Sequence, residues 1–275
     1  MLIRIGYDIE LALNSPTTLL GALHVHPSRA HDLQAPEAFS VASGQAFSTY
    51  QDEYDNTITR IDVPPGSTHV RLTNHAVVAD SGLPDPVVPE ARQHALHELP
   101  NEMYRFLLPS RYCDFDGELI QFAWNQFGST PEGWARVQAI CDFVHGHLGF
   151  DYMQARATRT ATEGWREQVG VCRDFAHLAV SLCRCMNIPA RYVTGYLGDI
   201  GIPPVPYPMD FSAWFEVWLG GEWRTFAARH NVPRIGRIVM AQGRDAADVP
   251  ITMVFGWSQL NRFEVVCDEV IEPAN

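Results

Sequence analysis

Gly170-Val171-Cys172-Arg173-Asp174-Phe175-Ala176-His177-Leu178 is the stretch on which the fold of this chain turns. Beyond Cys172, the residues Phe175, Leu178, Ala179, Leu182 and Met186 recur at helical spacing and make one apolar stripe, which Asn187-Ile188-Pro189 closes. The spacing predicts a helix that opens at Cys172. A thiol at a helix N-terminus meets free N–H groups and the positive end of the helix dipole, and both favour the thiolate, the reactive form. Arg173 adds positive charge nearby, and Asp174 falls in the first turn, where a carboxylate is favoured. The same N–H groups could receive the oxyanion of an acyl-transfer intermediate. The other cysteines (Cys113, Cys141, Cys183, Cys185 and Cys267) read as small buried hydrophobes. Cys183 and Cys185 are not a C-x-x-C pair, and on a helix their side chains diverge by about 200°.

Working outward, Arg191 to Leu197 reads as a strand leaving this helix, and a Pro/Gly-rich loop follows at 198–208. Phe211 to Leu219, Gly220-Gly221 and Glu222 to Ala228 read as a hairpin. Upstream, Ser129-Thr130-Pro131-Glu132 is a helix start, and Val137, Ile140, Cys141, Val144 and Leu148 supply its apolar face. Residues 1–100 are β-rich, with strands expected at Leu2–Ile9, Leu19–Val25, Thr57–Val63 and His69–Leu72. The segment 79–100, with Pro84, Pro86, Pro89 and Pro100, reads as a connection. Short strands are expected again at Ile251–Phe255 and Arg262–Val266. The fold class is therefore α+β. A β-sandwich-like N-terminal domain (1–100, including the connection) precedes a core domain (101–275) in which helices pack on an antiparallel sheet.

With 275 residues, 46% of them hydrophobic and 19% charged, the chain can bury a substantial core. A net charge of -12 and the lack of any Lys/Arg run argue against a nucleic-acid or anionic-membrane surface. The first residues do not form a secretory signal, and no apolar run is long enough to span a bilayer. The expectation is a cytoplasmic protein whose cysteines stay reduced.

The motif around Cys172, followed by Asn187-Ile188-Pro189-Ala190-Arg191-Tyr192-Val193-Thr194-Gly195-Tyr196, resembles the bacterial transglutaminase-like superfamily, a papain-related thiol fold. Asp210-Phe211-Ser212-Ala213-Trp214-Phe215-Glu216-Val217 and Gly220-Gly221-Glu222-Trp223-Arg224-Thr225-Phe226 continue it in order, so that it covers roughly 130–260. The resemblance implies a Cys–His–Asp triad in which the cysteine, here Cys172, attacks an amide carbonyl and passes the acyl group to water or to an amine. It places the histidine just before Ala-Trp and the aspartate after Phe in the next strand. Here those positions hold Ser212 and Ala227. A two-residue turn at Gly220-Gly221 would set Trp214 opposite Ala227 and Ser212 opposite Arg229. Ser212 and Ala227 would then be diagonal neighbours about 7 Å apart. A positioned general base contributes about 10²–10⁴ in rate, which serine and alanine cannot supply.

His177 lies five residues past Cys172, about 140° round and 7.5 Å along a helix, so it reads as a packing residue. His230 becomes a candidate partner only if the return strand has ended before it. Asp210 shares a strand face with Ser212 and could bring a carboxylate to the thiol. Trp214, Trp165 and Tyr152 are candidate substrate-lining residues. His24 and His26 share a strand face, but no third ligand accompanies them, nor His145 and His147. The sequence thus predicts a cysteine enzyme acting on amide or peptide bonds, with a peptide or protein substrate and without metal or cofactor. The competing reading is an inactive member of the fold that binds a peptide or protein partner.

Overall fold

The computed structural model describes residues 1–42 and 45–271. Strict alternation in β1 (Leu2–Leu13) sets the N-terminal half: Ile3, Ile5, Tyr7, Ile9, Leu11 and Leu13 all point to one face and are buried. The chain continues through β2 (Thr17–Gly21), β3 (Ser40–Val41), β4 (Phe47–Gln51), β5 (Thr57–Val63) and β6 (His69–Ala79). Leu19, Ile61 and Val63 meet the β1 side chains in one shared core, so two sheets lie face to face as a sandwich. The strand expected over Leu19–Val25 stops at Gly21, and that expected at His69–Leu72 runs on to Ala79.

The core domain follows. It comprises α1 (Gly117–Phe127), α2 (Trp134–His147), β7 (Gly149–Phe150), α3 (Ala161–Glu167), β8 (Val169–Gly170) and α4 (Cys172–Cys185), then β9 (Ala190–Tyr196), β10 (Ser212–Leu219), β11 (Glu222–Phe226) and β12 (Ile238–Gly243). Four of these strands form an antiparallel sheet in the order β11-β10-β9-β12. α4 is the central element: every residue from Asp174 to Cys185 is buried. Phe215, Val217 and Leu219 of β10 and Val137, Ile140 and Val144 of α2 share its apolar cluster. α2 begins at Trp134 rather than at Ser129-Thr130, because the backbone at Gly133 (φ +88°) is not helical.

The hairpin register follows from its turn. Gly220 and Gly221 both take positive φ (+64° and +86°), as a two-residue primed turn requires. The ladder runs from Leu219↔Glu222 to Phe215↔Phe226 and stops there. The Asn231 N–H donates to the Ala227 carbonyl (2.7 Å), so the chain turns where the return strand was expected to reach Ala228.

The last two strands, β13 (Met253–Val254) and β14 (Ser258–Glu269), do not stay with the core sheet. β13 pairs with β2, and β14 runs along β1 from Leu13↔Ser258 to Ile3↔Glu269. A boundary at residue 100 therefore leaves out these strands: β14 fills the open edge of β1 in the order β14-β1-β6-β3, and β13 that of β2 in the order β13-β2-β5-β4. Tyr196, Ile238 and Met240 of the core sheet also join the sandwich interior. Among the described residues no helix is long and apolar enough to cross a membrane.

Candidate active site

β8 delivers the chain into the first turn of α4, and that turn is firmly held. The buried Asp174 carboxylate accepts the Val171 N–H (2.9 Å) and is paired with Arg159 (3.0 Å). A Cβ at Gly170 would lie 2.6 Å from the Cβ of Asp174, so only glycine allows this approach. Cys172 is half-buried, whereas the other five cysteines are buried. Burial pushes the thiols of Cys113, Cys185 and Cys267 up to about 12, as expected of inert core residues.

Cys172 lines an open cleft of about 750 Å³, with Tyr112, Tyr192, Asp210, Ser212 and Phe263 among its walls. Desolvation and then the Asp210 carboxylate hold its thiol above the ordinary range. The Arg229 guanidinium and the main-chain N–H groups of Ala213 and Arg173 pull the other way. Burial also raises the Asp210 carboxyl, against the Phe211 N–H and Arg229. The structure thus gathers Cys172, Asp210 and Ser212 in one cleft. Tyr152 stands at its side, with a hydroxyl raised by burial, by Asp210 and by Cys172.

Several expected site residues lie elsewhere. Ala227 lines a small hollow with Trp134, Gln138, Cys141 and Asn231 rather than the thiol cleft. The diagonal relation to Ser212 required one more rung of the ladder, and the chain has already turned. Trp214 is 1% exposed and faces away, with the Arg237 guanidinium 5.0 Å from its ring. Trp165 packs against Phe122 at 5.2 Å in the helical core. Alternation showed which residues share a face with Trp214, but not that the helix would pack on the opposite one.

Because β11 ends at Phe226, His230 escapes strand alternation. It lines a small cavity of about 110 Å³ with Tyr152, Asp210, Ser212 and Arg229. Its Nδ1 faces the Arg234 guanidinium (3.3 Å). Burial, then Arg229 and Arg234, pushes its pKa down to about 3, so it is neutral and a weak base. Among the described residues no hydrogen bond joins Cys172 to an imidazole.

His177 is a packing residue. Its ring stacks on Tyr112 (5.5 Å), its Nε2 accepts the Ala246 N–H (3.1 Å), and burial pushes its pKa down to about 3. His24 is held by Glu37 and Thr59, and His26 by Ser28 and the Tyr54 carbonyl. His145 faces the carbonyls of Ala228 and Arg229, and His147 that of Trp165. Among the described residues no group of three His, Cys, Asp or Glu is placed to hold a metal.

Sequence reasoning missed Arg229 as a site residue, together with Tyr112, Tyr192 and the β14 wall at Leu260 and Phe263. Arg229 owes its place to the early end of β11, and its guanidinium lies 3.8 Å from the Phe150 ring centroid. Chemically, the arrangement offers a sulfur nucleophile, N–H donors beside it, the Asp210 carboxylate and the guanidinium groups of Arg111, Arg173 and Arg229.

Residues 121–228 match the family model of the transglutaminase-like superfamily. A solved structure from Cytophaga hutchinsonii, described as a candidate cysteine protease, matches all of this chain (100%) and 92% of its own, with TM-score 0.83 and 28% identity. An uncharacterised protein of Mycobacterium leprae is 24% identical over 224 residues, 80% of each chain. One of Mycobacterium tuberculosis is 32% identical over 113 residues, 36% of each. With the thiol helix, the antiparallel sheet and these likenesses together, the stretch 121–228 is similar to the core of the transglutaminase-like superfamily.

Proposed function

We propose that the protein is a cysteine-dependent enzyme that acts on amide or peptide bonds through Cys172. One observation carries this reading: of six free thiols, Cys172 alone is not buried, and it lies in a cleft at a rigidly held helix start. The likeness to the Cytophaga candidate cysteine protease supports it. In the proposed reaction the Cys172 sulfur bonds to the amide carbonyl carbon, and the N–H groups of Ala213 and Arg173 are the donors available to the oxyanion. The thiol proton passes to Asp210 and on to the departing amine, and the acyl thioester then goes to water or to a second amine. By the resemblance, Ser212 and Ala227 occupy the sequence positions of the superfamily's histidine and aspartate, and the turnover we propose is correspondingly slow. Six free cysteines suit a reducing compartment, and we place the activity in the cytoplasm.

The test is mass-spectrometric scoring of hydrolysis and aminolysis in a mixed synthetic peptide pool. Wild type is expected to turn over a subset, Asp210→Asn to slow it, and Cys172→Ala to remove it. Turnover that persists in Cys172→Ala contradicts the reading. The raised thiol and the lack of an imidazole partner favour a second reading, a peptide-binding module. Its signature is binding that survives Cys172→Ser, without turnover in wild type.

A further inference from the structure

Beside the thiol cleft lies a second concavity, about 520 Å³, within the range of small-ligand pockets. Its walls are mainly Phe150, Tyr152, Met153, Tyr207, Met209 and Phe263. Two of these are costly to leave in water: Met153 is 88% exposed and Tyr207 61%. The aromatic rings are arrayed around it, with Phe150 4.9 Å from Tyr152, and Tyr152 6.3 Å from Tyr207. No basic residue is among these walls, but the Arg229 guanidinium lies 3.8 Å from the ring centroid of Phe150. Of its two carboxylates, Asp151 accepts the Met153 N–H (2.9 Å). The other is Asp210, which lines the thiol cleft as well, as does Phe263. The pocket and the thiol cleft therefore adjoin, with those two residues as shared walls.

We infer that this pocket takes a large apolar or aromatic side chain of the substrate residue that flanks the scissile amide. The inference rests on the enzyme reading above and names its substrate class. A small side chain would leave most of the volume unfilled. The exposed faces of Met153 and Tyr207 become covered only when such a group binds.

Alkylation of Cys172 by two chloroacetamides tests this without requiring turnover. In each, the thiolate displaces chloride, forming the S–C bond as C–Cl breaks, and the thiol proton goes to solvent. Rates are read by intact mass for unsubstituted chloroacetamide and for its N-phenethyl derivative, with glutathione as the reference thiol. The phenethyl-to-plain rate ratio is expected to exceed that of glutathione about tenfold, from burial of the ring. Met153→Glu and, separately, Tyr207→Ser should bring the ratio towards that of glutathione. Using the ratio cancels any general change in thiol reactivity. A wild-type ratio equal to glutathione's, or one that neither variant lowers, overturns the inference. So does faster relative alkylation by an N-carboxymethyl chloroacetamide than by the phenethyl probe. These outcomes are independent of the Cys172→Ala turnover test, so either can fail alone.

Discussion

The start of α4 and the end of β11 face the same chemistry but are held in different ways. At α4, a buried ion pair between Asp174 and Arg159, an N–H bond to Val171 and the close approach at Gly170 lock Cys172 onto the central helix. At β11, the ladder stops at Phe226, and Ala227, Arg229 and His230 lie in a turn closed by the Asn231 N–H. The nucleophile's place is thus tied to the stability of the whole core, because α4 cannot shift without unpacking it. The place of its partners depends on the last rung of one hairpin. A single unformed rung there re-aims everything beyond it.

The largest effect should come from rebuilding the weak end. Ser212→His with Ala227→Asp is expected to raise amide turnover by about 10²–10⁴, the usual worth of a positioned base. No gain would mean that the turn after Phe226 holds position 227 out of reach of position 212. Next comes stability at the strong end. Asp174→Ala leaves Arg159 without its most buried partner and should cost about 3–5 kcal/mol in urea unfolding. Ala227→Ser should change stability by less than about 0.5 kcal/mol. Similar costs at both ends would erase the contrast.

A smaller effect concerns pH. The folded His177 has its pKa depressed to about 3, below that of an unfolded histidine. Below about pH 6.5 the unfolded chain therefore binds a proton that the folded one refuses, and stability falls as pH drops towards the folded value. That slope is about 1.4 kcal/mol per pH unit for one such proton. The difference in unfolding free energy between wild type and His177→Gln should change with this slope between pH 6 and 4. A pH-independent difference would mean that the imidazole charges freely in the fold.

Much of this architecture was legible in the sequence because local pattern controls it. α4 was readable from its apolar stripe, and the hairpin register from two glycines that admit one kind of turn. β14 was recognised in part as a strand, but its partner was not: β1 lies at the other end of the chain, and nothing local encodes that pairing. The short α3 and the strand β12 carry too little periodicity to stand out. At the site, Cys172, Asp210 and Ser212 were found by motif and alternation. Arg229 and the true position of His230 were not, since both depend on where β11 stops. Trp214 was misplaced because alternation gives two faces and does not say which one the helix covers.

The most direct test of the central claim is to look for an acyl group on Cys172. The protein is incubated with p-nitrophenyl acetate, and the adduct is located by peptide mass spectrometry across all six cysteines. The account predicts one acetyl thioester, on Cys172, absent from Cys172→Ala, and released on adding an amine. Acylation spread over other cysteines, or a native protein that takes no acyl group while glutathione does, would contradict it.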